Sequence, residues 1–428
     1  MKLLRLMMRA RSSCPDCDYT EHALTNFTRL LLKATEHTFG LHGLGNALDA
    51  PKTWDNQRLH AALSSSGNST TVEQLGTKLR QWSASWVEQR LYPEYALSAL
   101  TAPGASASST ALAARIRTEM EQQWPVAAPA LGGFHRVPPG AAIHTPHFVV
   151  KVSPTTGGIT SLVPKAAAAA AAAVDWGDSS SEKHDLFQFV YRSLNQEHDF
   201  TPFRTTYTGD WATFPGTWFT QMPGGCYDKQ NLDNSTCASE MGCAKSQDWL
   251  PSAVEVFSKA NASAGHEIVV SLTLPREAHV VYGAPSKVYV TLQFAAATQA
   301  IEVDVRWIGK LPTRLPESSL FMLPLARCTA ESSSQGGWSL EKLGSWIEAA
   351  DVVPNGGAGH LHAVGDGGAK RSCGVKTVHV AAFDSALLSV GRETAFPIPL
   401  TPLSHVEASG GLTAVLHDNI WDVNYPMW

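Results

Sequence analysis

The chain has 428 residues, 44% of them hydrophobic, and a formal net charge of -5 from 33 basic and 38 acidic residues. That length exceeds what one hydrophobic core usually serves, so two or three domains are expected. The charges are scattered without long blocks, which argues against nucleic acid and an anionic membrane as partners, and outside one Ala tract no apolar run is long enough to span a membrane.

Residues 1–19 form a basic, Leu- and Met-rich N-terminal segment. Arg5 interrupts an apolar stretch that is already too short for a signal peptide. We therefore favour the interpretation that the chain begins within a larger protein over the interpretation that this segment is a cleaved targeting peptide. Cys14 and Cys17 have CxxC spacing without a matching second pair, and their disulfide status stays open. Asn-x-Ser/Thr sequons fit the secretory pathway or the vacuole, but the compartment is not fixed.

Three helices are predicted in a helical domain over residues 20–130. Apolar residues recur at helical spacing from Leu24 to Ala34, after Thr20 as the N-cap. The second helix begins with a capping box at Thr71–Gln74 and is predicted to bend or restart at Pro93. Its apolar face, within residues 72–86, would associate with another surface if it were exposed. The third helix carries apolar residues four apart: Leu112, Ile116, Met120 and Trp124.

A Pro-, Gly- and Ala-rich connection precedes a β domain over residues 141–428. Strand signals linked by turns predict a large antiparallel β-sandwich, so the fold class is α+β multidomain, an N-terminal helical bundle followed by that sandwich. An Ala tract over residues 166–173 is interpreted as an insertion without chemistry. The predicted strands are His147–Val152, Ile159–Val163, Leu186–Tyr191, Glu267–Leu274, Val288–Phe294, Ile301–Trp307, Ser319–Leu325, Val375–Phe383, Leu387–Val390 and Leu412–Leu416.

Five pieces of the chain resemble family 38 glycoside hydrolases, the α-mannosidase type. Lys151–Leu162, Arg306–Ser318 and Asp418–Trp428 resemble its C-terminal β-sandwich, for which the resemblance implies a galactose-mutarotase-like super-sandwich. Glu36–Gly40 and Trp86–Tyr92 resemble the central helical domain of an uncharacterised branch. The resemblance covers about residues 20–428 and implies zinc-dependent, retaining hydrolysis of α-linked sugars, with carbohydrate as the partner.

The resemblance also implies a zinc site built from a His-x-Asp pair, a nucleophilic Asp and one His at the start of the helical region. The first three ligands lie on an N-terminal α/β-barrel, and we expect that barrel to be missing, since none of the 16 His residues begins a His-x-Asp triplet. His37 matches the helical zinc ligand by position. One imidazole cannot hold zinc at useful affinity, and retaining hydrolysis needs two carboxyl groups about 5 Å apart. We therefore expect zinc to be bound only in a complete form of the enzyme, and we assign no catalytic residue in this chain. The chain is expected to be a truncated, inactive relative of the α-mannosidase-like hydrolases. Whether it should be classed as an enzyme stays open.

Candidate sugar-binding residues lie in two aromatic segments. Aromatic rings stack on sugar rings and polar side chains bind hydroxyl groups, although core packing or a folded-back C-terminal cap would explain the same residues. The alternative function is a non-catalytic carbohydrate-binding or scaffold module. Glu317 is assigned a structural hydrogen-bonding role, and the sugar, its linkage and the oligomeric state are not fixed. The candidates are Trp211, Trp218, Asn419, Trp421, Asn424 and Tyr425.

Overall fold

The structure is a computed structural model. The described residues are 2–14, 16–34, 70–123, 127–165, 175–177, 183–194, 199, 245–261, 265–311, 317–325, 337–351, 361–365, 367–373, 376–381, 384–385, 387–391 and 411–419. The chain divides into two compact units, a helical one that holds Met1–Ala127 and a β-rich one that holds Ala128–Lys229 and Asn234–Trp421. The Ala tract at 166–173 lies outside the described residues.

The helical unit contains four described helices: α1 (Lys2–Ser12), α2 (Glu21–Lys33), α3 (Thr70–Ala99) and α4 (Ala107–Gln123). Their buried residues recur three or four apart, as packed helix faces require. Helix α1 packs against α4, and α2 packs against α3. The buried cluster they form includes Leu6, Phe27, Leu97, Leu100 and Ile116. Among the described helices of the chain, none is long and apolar enough to cross a lipid bilayer.

Hydrogen bonds between α2 and α4 fix how these two helices begin. Ser106 caps α4, because its hydroxyl accepts a bond from the backbone N–H of Ser109 at 3.1 Å. Thr20 is the N-cap of α2 but makes no capping bond with its side chain. Its hydroxyl instead accepts the backbone N–H of Ser106 at 2.8 Å, so one threonine links the two helix starts.

The helix predictions are confirmed except at three places. Helix α3 begins at Thr70, so Thr71 lies inside the helix and is not its N-cap, contrary to the predicted capping box. Helix α3 does not restart at Pro93, which lies inside one continuous helix although proline has no backbone N–H to donate. Residues 1–19 contain a helix that the sequence analysis did not predict, α1, followed by a disulfide between Cys14 and Cys17. Of the predicted apolar face at 72–86, Trp86 is buried.

The β-rich unit contains eighteen described strands and one short helix, α5 (Arg276–Val280). The first nine strands are β1 (His135–Val137), β2 (Ile143–His144), β3 (Phe148–Val152), β4 (Ile159–Pro164), β5 (Gln188–Ser193), β6 (Gln247–Trp249), β7 (Ala253–Asn261), β8 (Gly265–Thr273) and β9 (Lys287–Ala295). The others are β10 (Ile301–Ile308), β11 (Glu317–Leu323), β12 (Trp338–Lys342), β13 (Ser345–Glu348), β14 (Leu361–Ala363), β15 (Ala369–Cys373), β16 (Lys376–Val380), β17 (Leu387–Val390) and β18 (Leu412–Asn419).

These strands form four antiparallel sheets. The strand orders are β1-β7-β8-β9-β10, β14-β17-β18-β11-β5-β6, β13-β12-β15-β16 and β2-β3-β4. Each predicted strand has a counterpart in them, so β-rich antiparallel structure after a helical region is confirmed. Strands β1, β2, β6, β7 and β12 to β15 fall outside the predicted segments.

The six-stranded sheet buries side chains on both faces. Phe189 and Phe321 belong to the large core of the unit, while Val190 and Leu320, their neighbours along the same strands, form a separate cluster on the opposite face. All seven residues of β11 are buried. Polar residues in this strand therefore need partners within the protein, because burial without them is costly.

Candidate functional site

Polar residues cross the six-stranded sheet in one row near one end. Ser318 on β11 lies opposite Arg192 on β5 and opposite Asp418 on β18, and Arg192 lies opposite Asp248 on β6. Residues paired in this way project from the same face of a sheet. The row Asp248-Arg192-Ser318-Asp418 therefore runs over four strands on one face. We call these four residues, together with Glu317, its partners Lys310 and Tyr191, and His417 on β18, the polar end of the sheet.

Glu317, the first residue of β11, is the centre of the opposite face at this end. Its side chain is 2% exposed, and the ammonium of Lys310 donates to its Oε1 at 2.7 Å. The hydroxyl of Tyr191 bonds its Oε2 and also the backbone carbonyl of Tyr282. Burial, and then the charge of Glu317, raise the pKa of Tyr191 well above its usual value, so the phenol stays protonated. The hydrogen-bonding role assigned to Glu317 is confirmed.

Asp418 and His417, at the end of β18, both favour their neutral forms. Burial raises the pKa of Asp418 to about 7, helped by the charge of Glu317 and opposed by the hydrogen bond that Ser318 donates at 2.5 Å. Burial, and then the charge of Lys310, lower the pKa of His417 to about 4. Among the described residues, no partner bonds the buried Nδ1 of His417. Near neutral pH the imidazole is uncharged and the Asp418 carboxyl is partly protonated.

Asp248, at the other end of the row, is held in its charged form. Burial alone would raise its pKa, but Arg192 and Lys183 outweigh burial and lower the pKa to about 2. Arg192 binds it with two nitrogens, at 2.5 Å to Oδ1 and 2.9 Å to Oδ2, and Lys183 donates at 3.0 Å. Such two-pronged pairs are among the stronger charge-assisted hydrogen bonds. The two acids at the ends of the row thus differ in protonation state.

These described carboxyl groups do not form the pair that glycoside hydrolysis requires. Glu317 and Ser318 are consecutive on β11, so Glu317 lies on one face while Asp418, bonded to Ser318, lies on the other. Asp418 and Asp248 share a face but are three strand spacings apart, about 14 Å. Carboxyl groups that act together on a glycosidic bond are about 5 to 9.5 Å apart. The placement of Glu317, Asp418 and Asp248 therefore does not match the geometry of that pair.

The structure places one of the predicted sugar-binding residues at this polar end. Asn419 is the last residue of β18, and its backbone lies opposite Glu317. Five others lie outside the described residues, as does the predicted zinc ligand, His37. Those five are Trp211, Trp218, Trp421, Asn424 and Tyr425.

The connectivity nevertheless relates these residues to the polar end. Trp211 and Trp218 belong to the connection that leaves β5 after Ser193 and returns at Gln247 on β6. Ser193 lies opposite both Gln247 and Glu317, so this connection begins and ends beside the start of β11. The C-terminal residues follow directly on β18, which ends at the same place. The described strand ends that flank both aromatic segments thus lie at one end of one sheet.

Sequence reasoning missed most of the polar end. Arg192, Asp248, Lys310 and Asp418 are not among the site residues predicted from sequence. One signal was available, namely the three consecutive polar residues Glu317, Ser318 and Ser319 at the start of an apolar strand. Within the described part of the chain, no three His, Cys, Asp or Glu side chains are placed to hold a metal ion. The described residues therefore do not fit zinc.

The fold and the polar end define a chain with a helical unit, a β-rich unit of antiparallel sheets and a buried acid–base network at one sheet end. Residues 2–302 match the model of a family described as a domain of unknown function, DUF5054. The match covers more than half of the chain, which therefore belongs to this family. Neither the curated proteins nor the solved structures contain a match.

Proposed function

We propose that this chain is the helical and β-rich part of an α-mannosidase-like glycoside hydrolase of family 38, a helical bundle followed by a large β-sandwich. The polar end of the six-stranded sheet carries this proposal. The resembling pieces Arg306–Ser318 and Asp418–Trp428 are about a hundred residues apart, yet β11 and β18 pair where the two pieces meet. The third piece, Lys151–Leu162, includes the turn between β3 and β4. Because the first two pieces are in contact in the fold, there is a physical reason why both occur in the same sequence.

In this proposal the chain binds and supports the sugar, and catalysis belongs to a complete form of the enzyme. Of the carboxyl groups at the polar end, Glu317 and Asp418 lie on opposite faces, and Asp418 and Asp248 are too far apart for retaining hydrolysis. In the complete form, His37 would be one zinc ligand and the remaining ligands would come from an α/β-barrel. No step of a zinc mechanism is assigned to the described residues.

Hydrolysis by the purified chain is the first test. We expect no release of p-nitrophenol from its α-mannoside, with or without added zinc, because one imidazole cannot retain the ion. The matched variant is His37→Ala. Release that disappears on chelation and in His37→Ala would overturn the non-catalytic role of this chain. Genomic sequence upstream in the same frame that encodes a strand followed by His-x-Asp would support the hydrolase.

The second candidate is a non-catalytic carbohydrate-binding module. It is favoured by the chain order, in which both aromatic segments follow described strands that end at the polar end. Aromatic faces and amide groups are the usual contacts of neutral sugars. In a glycan array, binding should survive chelation and fall in Trp211→Ala and in Trp421→Ala. Trp307→Ala is the control, because Trp307 is 37% exposed on β10 of a different sheet. Equal losses in all three variants would refute a sugar site at the polar end.

A further inference from the structure

A pocket of about 310 Å³ in the β-rich unit is lined by three histidines and a serine. It lies at β1, β2, β7 and β8, on other sheets than the polar end. The residues that line it are His135, Arg136, Val137, Pro138, Ala142, Ile143, His144, Ser258 and His266. None of these lining residues is an acid. The pocket therefore has the composition of a site for an anion.

Strand register explains why the histidines and the serine meet. His135 on β1 lies opposite Ser258 on β7, so their side chains share a face. His266 on β8 lies opposite Ala260, two residues beyond Ser258 and therefore on that same face. The Ser258 hydroxyl and His266 Nε2 are 2.7 Å apart. Together they form a hydrogen-bonded pair at the wall of the pocket.

The charged groups around His266 are bases. Burial lowers its pKa, and the positive charges of His135 and Lys165 lower it further. His144 on β2 lines the same pocket. On β9, the residue opposite His266 is the uncharged Phe294. An imidazolium at this position would thus have no neutralising group among the residues that line the pocket.

Glu255, the acid that pairs with Arg136, points away from the pocket. Arg136 follows His135 on β1 and projects to the opposite face, where its guanidinium pairs with Glu255 at 3.1 Å. Glu255 precedes Val256, which shares the face of Ser258, so the carboxylate lies on the far side of the sheet. Positive charge that develops in the pocket is therefore not neutralised by an acidic side chain that lines it.

Protonation of His266 changes what Ser258 offers to a ligand. When the imidazole is neutral with an unprotonated Nε2, the Ser258 hydroxyl donates its proton to that nitrogen. When the imidazole is protonated, Nε2–H donates to the Ser258 oxygen, and the hydroxyl proton is free to donate into the pocket. One protonation thus adds a positive charge and turns a hydroxyl group toward a ligand.

We propose that this pocket binds a phosphate-type oxyanion, held by the His135 and His144 imidazoles and the Ser258 hydroxyl, with protonated His266 behind that hydroxyl. Binding and protonation strengthen each other, because linkage between two sites is reciprocal. If the imidazolium form alone binds, affinity decreases about tenfold for each pH unit above the pKa of His266. The oxyanion is either free phosphate or the phosphate group of a sugar phosphate. The proposal is independent of the glycoside hydrolase assignment.

The test follows histidine ring protons by NMR in the full chain labelled at histidine, titrated with pH with and without inorganic phosphate. Phosphate should raise the pKa of His266 and perturb the His135 and His144 resonances. Parallel titrations with a hexose 6-phosphate and with the unphosphorylated hexose distinguish the sources of the anion. Tighter binding of the hexose phosphate assigns a sugar phosphate, and equal binding assigns free phosphate. Unchanged pKa values for all three histidines would overturn the proposal.

Two variants separate the pocket from general effects of histidine replacement. His266→Gln keeps a hydrogen-bonding group for Ser258 but cannot become charged. In acid, where wild-type His266 is protonated, phosphate binding should weaken about tenfold, and the part of the pH dependence that comes from His266 should be lost. His379→Gln is the matched control, because His379 is exposed on β16 and bonds the carbonyl of Gly367. It should bind like the wild type. Wild-type pH dependence in His266→Gln, or equal weakening in both variants, would count against the site.

Discussion

Replacement of Asp418 by Asn should change how stability depends on pH, because the native protein holds this carboxyl protonated. Its pKa is raised from 3.8 to about 7, mainly by burial. Between those values the native state keeps a proton that the unfolded state releases, so this group makes the protein less stable as pH increases. The full loss is at most about 4 kcal/mol, reached above pH 7. Asn cannot ionise and still accepts the hydrogen bond from Ser318.

The neighbouring His417 has the opposite effect. Its pKa is lowered from 6.5 to about 4, so between these values the unfolded state binds a proton that the native state does not. This contribution increases stability by about 3 kcal/mol as pH rises through that range. In the wild type the two effects nearly cancel from about pH 4 to 6.5, and only the loss from Asp418 remains above that range. In Asp418→Asn, the gain from His417 becomes visible.

Urea unfolding followed by near-ultraviolet circular dichroism at several pH values measures this difference. Asp418→Asn should match the wild type at about pH 4 and exceed its free energy of unfolding by up to about 4 kcal/mol at about pH 8. His417→Gln is the complementary variant, and its stability should decrease steadily across the range in which the wild type is flat. An equal stability difference between Asp418→Asn and wild type at every pH would refute a protonated carboxyl in the native state.

Three further predictions concern other parts of the β-rich unit. Asp248→Asn should lower the free energy of unfolding by about 2 kcal/mol at neutral pH and by less in acid. The pKa of Asp248 is lowered to about 2, so the stabilisation from its charged form disappears as pH falls through that value. Urea unfolding at about pH 7 and about pH 2 measures this difference. Glu317→Gln should cost about 3 kcal/mol, since it leaves a nearly buried ammonium without its anion, and a loss below 1 kcal/mol in urea would contradict this. Gly265→Ala should lower the stability by about 2 kcal/mol more than Gly344→Ala does. Both glycines have positive φ, but only at Gly265 would an added Cβ meet backbone atoms. Equal melting temperatures of the two variants would disprove that crowding.

Helices and continuous apolar strands could be predicted from sequence because each is encoded within a few neighbouring residues. Leu112 and Ile116 lie one turn apart and are both buried in α4, as their spacing predicts. The same pattern occurs in α1, where Leu3, Leu6 and Met7 are buried. This helix could therefore have been predicted, and it was missed because the segment was assessed as a targeting signal.

The hairpin between β12 and β13 shows why some strands escaped prediction. Leu343 and Gly344 both have positive φ values, 52° and 81°, in the two-residue turn that joins these strands. Turns of this kind usually place Asn or Asp before Gly, because other residues are strained there. Leu at the first position removes the usual sequence signal, so the strain is visible only in the structure.

The polar end could not be predicted, because no single segment encodes it. Its row is assembled from β5, β6, β11 and β18, whose residues are separated by 56 positions between Arg192 and Asp248 and by 100 between Ser318 and Asp418. Sequence shows polar residues in or beside predicted strands, but the pairing register decides which of them meet. The pKa shifts depend on burial and on neighbours from other strands, which the sequence does not specify.

The two binding regions proposed for this chain should prefer ligands of different charge. At the polar end, Glu317 has Lys310 and Asp248 has Arg192 as partners, and the pKa shifts of His417 and Asp418 favour neutral forms near neutral pH. A neutral sugar can approach such groups without leaving a charge unpaired, whereas an anion would meet two carboxylates. The histidine pocket becomes cationic in acid, so acid should strengthen anion binding there. Because the effects of Asp418 and His417 on the free energy of unfolding offset each other from about pH 4 to 6.5, these two groups should leave that free energy nearly constant in this range, while a fall in pH strengthens anion binding in the pocket.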